Sequence, residues 1–135
     1  MKIAVVDGQG GGIGRALIEK MRNELPPDLE IIALGTNALA TNLMLKAGAN
    51  EGATGENAIL VNCEKVDIIV GASGIIVSNS MLGELTPSIA SAIAKSPAKK
   101  ILIPFKRCNI EFVSVKNDSM AQHIENVIVH IKKYC

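Results

Sequence analysis

Five glycines crowd residues 8–14 of this chain, in the run Asp7-Gly8-Gln9-Gly10-Gly11-Gly12-Ile13-Gly14. Each glycine loses more backbone freedom on folding than any other residue would, so a plain turn does not need so many. The cluster follows the apolar run Ile3-Ala4-Val5-Val6 and precedes Ile13, Ala16, Leu17, Lys20, Met21 and Leu25, which recur at helical spacing until Pro26-Pro27. A strand, a glycine turn and a helix in that order aim backbone N–H groups at one point at a helix N-terminus, an arrangement suited to a phosphate. The expected partner is therefore a phosphate-bearing ligand, and the bland alternative is a tight turn needed only for packing.

The rest of the chain repeats this alternation. Leu29–Leu34 reads as a second strand, and a helix through Leu39, Leu43 and Ala47 stops at Gly48. Ala49–Ala53 reads as a short third strand, followed by a helix with Thr54 as cap and Ala58, Ile59 and Val61 as its apolar positions. Val66–Val70 is the fourth strand and ends in a second glycine turn, Gly71-Ala72-Ser73-Gly74; Ile75-Ile76-Val77 fits either a strand extension or a buried loop. Thr86-Pro87 starts a helix carrying Ile89, Ala90, Ile93 and Ala94, and Lys100–Phe105 is the fifth strand. Only four residues separate it from the alternating run Ile110–Val115, too few for a parallel crossover, so that run is predicted to be an antiparallel edge strand. Ser119 and Gln122 have capping-box spacing at the head of a last helix through Met120, Ile124, Val127 and Ile131. The predicted fold is α/β: a Rossmann-like doubly wound, mostly parallel sheet with right-handed crossovers.

Length allows one domain over residues 1–135, with no room for a separate substrate domain. The apolar residues, 48% of the chain, are mostly aliphatic, and Phe105, Phe112 and Tyr134 are the aromatics. That bias suits strands buried on both faces. Residues 1–84 carry 6 basic and 10 acidic side chains and residues 85–135 carry 8 and 3, so the halves are −4 and +5. Neither charge is large and the basic residues lack interleaved aromatics, so a nucleic-acid partner is not expected. Cys63, Cys108 and Cys135 show no CxxC spacing, and Lys2 leads straight into the first strand, which together point to a reduced cytoplasmic protein. The uncharged stretch Val70–Leu82 is broken by glycine, serine and asparagine and is too short to span a bilayer.

Two dinucleotide patterns can be tested on the first glycine turn. GxGxxG fails, because Ile13 stands where it needs glycine. Gly8-x-x-x-Gly12-x-Gly14 is complete, and it resembles the cofactor loop of the short-chain dehydrogenase/reductase family, with Asp7 in place of that family's usual threonine. The resemblance implies NAD(P) or another phosphate-containing nucleotide lying against Gly8, Gln9, Gly10, Gly11, Gly12, Ile13 and Gly14. It stops short of the reaction. The turn Gly71, Ala72, Ser73 and Gly74 matches the family's Asn-Asn-Ala-Gly only at the last glycine, and the catalytic Tyr-x-x-x-Lys is absent, Tyr134 being the sole tyrosine.

The second strand ends in Leu34-Gly35-Thr36-Asn37 without the acid that holds an adenosine ribose, and Glu30 lies at its far end. Thr36 and Asn37 are candidates for the ribose or for a helix cap, and Arg15 for a 2′-phosphate or for solvent. Thr54, Asn57, Asn79 and Ser80 are expected to complete the cleft, with Glu84 in the same loop as the last two. A nucleophilic role for Ser80 lacks an activating base. Lys106 and Arg107 follow the fifth strand, where they meet an anion or only water. His123 and His130, seven apart, are too distant for a two-histidine metal site, and no metal is predicted.

The segments Asp7–Gly14, Ala33–Ala38, Gly52–Asn57, Asn79–Glu84 and Ile101–Pro104 together resemble a small bacterial family catalogued as domain of unknown function 3842. The resemblance implies that these loops form one site and assigns no activity. The functional expectation is a nucleotide-binding domain; the alternative is a non-catalytic sensor or assembly subunit whose glycine loop packs or holds a non-nucleotide anion. A homodimer is expected through Ile75-Ile76-Val77.

Overall fold

The computed structural model describes residues 1–107 and 109–135; Cys108 lies outside them. Five strands, β1 (Lys2–Asp7), β2 (Glu30–Gly35), β3 (Glu51–Thr54), β4 (Ile68–Ala72) and β5 (Lys99–Ile103), form a sheet in the order β3-β2-β1-β4-β5. All four pairings are parallel, with Asp7 opposite Gly35 and Val5 opposite both Ala33 and Val70. Five helices join and follow them: α1 (Gly12–Glu24), α2 (Ala38–Ala47), α3 (Glu56–Asn62), α4 (Pro87–Lys95) and α5 (Met120–Lys132).

The continuous apolar runs of β1 and β2 serve two cores, because successive side chains point to opposite faces. Ile3, Val5, Ile31, Ala33, Ile68 and Val70 meet Leu17, Ile18 and Met21 of α1, Met44 of α2, and Ile124, Val127, Ile128 and Ile131 of α5. Ala4, Val6, Ile32, Leu34 and Ile69 meet Ile59 and Cys63 of α3 and Ile89, Ala90 and Ile93 of α4. The chain moves outward from β1 to β3, crosses to β4 on the other side of β1, and continues to β5. The direction of winding therefore reverses between β1 and β4, and the crevice beyond their carboxyl ends is where such sheets hold ligands.

Two local expectations are corrected. Ile110–Val115 is not an edge strand: it is irregular chain with a turn at Val113-Ser114, and Asn109 (φ 59°) and Ser114 (φ 64°) adopt left-handed backbone that a paired strand does not accommodate. Thr54 ends β3 rather than capping α3; its hydroxyl donates to Thr41 Oγ1 at 2.8 Å, and Gly55 takes the cap position. Ile75-Ile76-Val77 resolves as a 3₁₀ turn over Ser73–Ile76 with Ile75 fully buried and Ile76 exposed.

Candidate functional site

Asp7 organises the glycine turn. It is the last residue of β1, only 7% exposed, and its carboxylate accepts from the backbone N–H of Gly8 (Oδ1, 2.8 Å) and of Gly14 (Oδ2, 2.7 Å). One side chain thus fastens both ends of the loop. Burial pushes the Asp7 carboxyl above its ordinary value, against the pull of those two N–H groups, and nearby Glu84 adds to the rise. Inside the loop, Gly11 N–H donates to Gly8 O at 2.9 Å, and Gly11 caps α1 in left-handed backbone (φ 73°).

The five glycines separate by what surrounds them. A Cβ on Gly8 would collide with Thr36 Oγ1 and Met81 Sδ, one on Gly11 would lie 2.8 Å from Ala40 Cα, and one on Gly14 would lie 2.5 Å from Met44 Sδ. Packing opposes a side chain at all three, most firmly at Gly11, where the neighbour is backbone and φ is positive. Gly10 and Gly12 differ: a Cβ at either meets nothing within 4 Å. Among the described residues, the N–H groups of Gly10, Gly12 and Ile13 have no intramolecular acceptor, whereas Gly8, Gln9, Gly11 and Gly14 each have one.

Gly10, Gly12 and Ile13 are among the residues that line a cavity of about 230 Å³ in the β1–β4 crevice. Besides residues 7–13, Ala72, Ser73 and Gly74 line it from the end of β4, Val77, Ser80 and Met81 from the following loop, and Phe105, Arg107 and Ile110 from the segment after β5. Ser73 holds this last wall in place, its Oγ accepting from Phe105 N–H at 2.9 Å. The Arg107 guanidinium lies 4.8 Å over the Phe105 ring, which leaves it exposed at the rim. Ser80 is buried, and its hydroxyl donates to Gly74 O at 2.6 Å. Among the described residues no buried side-chain nitrogen or oxygen lacks a partner. The unmet hydrogen-bonding capacity of the site is thus in its backbone.

The structure splits the sequence-derived candidates. Gly8, Gln9, Gly10, Gly11, Gly12, Ile13, Ser73, Gly74, Ser80 and Arg107 line one cavity. Gly14 is buried and does not line it. Arg15 stands on the solvent face of α1, 3.9 Å from Glu19. Gly71 lies within β4, where a Cβ would come 2.8 Å from Val6 O. Asn57 and Thr54 are exposed near the β3 edge, and Asn79 is exposed in the loop with φ 65°. Lys106 lies outside the cavity, beside Phe105 and Phe112. Thr36 and Asn37 are also outside it. Asn37 caps α2, Oδ1 accepting from Ala40 N–H at 2.9 Å, and both residues donate to Glu84.

Glu84 is likewise absent from the cavity lining, and its position beside the glycine turn could not be anticipated. Its Oε1 accepts from Gln9 N–H (2.9 Å), Thr36 Oγ1 (2.7 Å) and Asn37 Nδ2 (2.8 Å). Chiefly the Gln9 N–H, with the Asn37 and Thr36 side chains, holds the Glu84 carboxyl below its usual range, so it is charged at neutral pH. Phe105, Ile110, Met81 and Val77 escaped sequence reasoning as well, since nothing in their spacing marks a wall. A second cavity, about 510 Å³, lies between β5 and α5 and is lined by Lys99, Lys100, His123 and His130 among others. It has no part of the glycine loop. Among the described residues no three His, Cys, Asp or Glu side chains cluster to hold a metal ion, and no helix is long and apolar enough to cross a membrane.

A parallel sheet wound in this order, with a glycine turn at its switch point, defines a Rossmann-like α/β protein. The chain belongs to the family described as Domain of unknown function (DUF3842), whose model matches residues 2–135. No curated protein matches the sequence. Among solved structures it is similar to the dodecameric FMN-dependent UbiX-like decarboxylase from Escherichia coli O157:H7, with 14% identity and a TM-score of 0.45 over 98% of this chain and 77% of that one.

Proposed function

We propose that this protein binds a small phosphate-bearing ligand of the mononucleotide class in the β1–β4 crevice. The phosphate would sit on the N–H groups of Gly10, Gly12 and Ile13 at the N-terminus of α1, with Arg107 at the rim and the remainder of the ligand against Phe105, Ile110 and Met81. The observation that carries this reading is the pair Gly10 and Gly12: neither is demanded by the protein's own packing, neither N–H group has an acceptor among the described residues, and both residues line the cavity. Close backbone approach to a ligand is the remaining physical reason for glycine there. A volume of about 230 Å³ is below the ~300–1,000 Å³ of pockets that enclose drug-sized ligands, which favours a mononucleotide or smaller group over a dinucleotide such as NAD(P).

The test is a thermal-shift panel of inorganic phosphate, AMP, FMN, NAD and NADP on the parent, Gly12→Ala and Gly11→Ala. At a hundred times its dissociation constant a ligand stabilises by ~2.7 kcal/mol, a shift of several degrees. Gly12→Ala is expected to fold as stably as the parent or better and to lose the shift. Gly11→Ala, with its left-handed backbone and the Ala40 clash, is expected to lower the midpoint without ligand. A parent that no phosphate compound stabilises sinks the proposal and favours a packing role for the loop, in an assembly subunit or a sensor of another anion. The same site also fits a sensor of a phosphorylated metabolite, since Ser80 and Ser73 are both engaged structurally and supply no nucleophile. Self-association is proposed on one observation, Ile76, 42% exposed beside the groove along β5; sedimentation at low micromolar concentration showing only monomer would remove it.

A further inference from the structure

The proposed site ends abruptly on its β2 side, and Glu84 ends it. In dinucleotide-binding α/β domains the ligand continues from the glycine turn to the end of β2, where an acid accepts the ribose hydroxyls. Here β2 ends at Gly35 and is followed by Thr36-Asn37, yet a carboxylate still arrives at that place, supplied by the loop after β4. Glu84 Oε1 takes the Gln9 N–H, the Thr36 hydroxyl and the Asn37 amide, and Asn37 Nδ2 also donates to Gln9 O at 2.9 Å. Glycine turn and β2 end are thereby laced together, and the three donors that a second phosphate would use, the Gln9 N–H, the Thr36 hydroxyl and the Asn37 amide, are engaged. There is no free depth beneath, since Thr36 and Met81 already close over the Cα of Gly8 and Glu84 Oε1 would lie 3.2 Å from a Cβ there. The donors on the other side, at Gly10, Gly12 and Ile13, stay open.

The loop that delivers the carboxylate is held in an unfavourable backbone: Asn79 (φ 65°), Met81 (φ 57°) and Leu82 (φ 57°) are left-handed without being glycine. Such conformations persist where surrounding contacts over-determine them. Here those contacts include Ser80 Oγ to Gly74 O, Asn79 N–H to Leu85 O at 2.8 Å, and the three bonds to Glu84.

Resting on the binding site proposed above, we infer that Glu84 is a specificity-determining residue that stands in for the second phosphate of a dinucleotide and restricts the cavity to monophosphate ligands. A second phosphate placed toward β2 must displace the carboxylate from those donors and set its own negative charge against it.

The experiment compares the parent, Glu84→Ala and Glu84→Gln by calorimetric titration with NAD and with inorganic phosphate, AMP and FMN, the tightest of the last three serving as the monophosphate reference. Far-ultraviolet circular dichroism verifies that each variant is folded. In the parent, NAD is expected to bind at least tenfold more weakly than the reference. Glu84→Ala should narrow that ratio at least tenfold by a gain for NAD. Glu84→Gln, which keeps an oxygen on Gln9 N–H and loses the charge, should fall between them and carries the test if the alanine variant does not fold. A parent that binds NAD as tightly as the reference overturns the inference, as does a ratio unchanged in the variants, and either result leaves the binding site itself standing. If no monophosphate binds the parent, the binding reading fails first and takes the inference with it.

Discussion

Asp7 shows how much one side chain decides at the residue scale. A carboxylate can accept two N–H groups at once, one on each oxygen, and Asp7 does so at Gly8 and Gly14, closing a loop that has few side chains of its own. Asparagine has one accepting oxygen and would point an N–H₂ at the second donor. Asp7→Asn is therefore expected to cost about 1–3 kcal/mol, read as a lower urea midpoint, because a buried donor is left unpaired. A midpoint within a few tenths of a kcal/mol of the parent would show that the loop is held by α1 and its glycines alone. The same scale explains which glycines were legible. Their number advertised a special backbone, but which of them serve packing and which face open space depends on Thr36, Ala40 and Met44, residues from other elements.

Among the elements, those whose signals are local were read closely. Thr86 caps α4, its Oγ1 accepting from Ile89 N–H at 3.2 Å with Pro87 at the first helical position, and it also donates to Glu56 of α3. Thr86→Ala is expected to destabilise by about 1 kcal/mol in chemical denaturation, with Thr86→Ser largely restoring the loss; equal loss in both would assign the effect to the methyl group rather than the cap. Ser119 likewise caps α5, accepting from Gln122 N–H at 3.2 Å, but the expected reciprocal bond is not made, since Gln122 Nε2 donates to Asn126 instead. The element misread was Ile110–Val115. Alternation of apolar and polar side chains is compatible with a strand but does not produce one, and the left-handed Asn109 and Ser114 are choices of backbone that alternation does not encode.

For the molecule as a whole, Glu84 links the β1 turn, the end of β2 and the loop after β4, so its ionisation reports on global stability. Its carboxyl is held below the ordinary 4.5, and a group depressed on folding contributes stability that is present above its unfolded value and lost as pH falls through the folded one. The parent is accordingly expected to be more stable than Glu84→Gln at pH 7, with the gap closing below about pH 4.5. A gap independent of pH from 7 to 3 would mean that the charge contributes nothing. The parallel sheet, the two cores and the glycine turn were legible because apolar runs, helical spacing and caps act over a few residues. The sequence by itself determined that β1 would end in a glycine turn that leads straight into a helix. Only the tertiary structure decided that Glu84, 75 residues from Gln9, would take the Gln9 N–H of that turn while the N–H groups of Gly10, Gly12 and Ile13 found no acceptor among the described residues, because a contact so far apart along the chain depends on how strands are ordered in the sheet and leaves no periodic trace in the residues that make it.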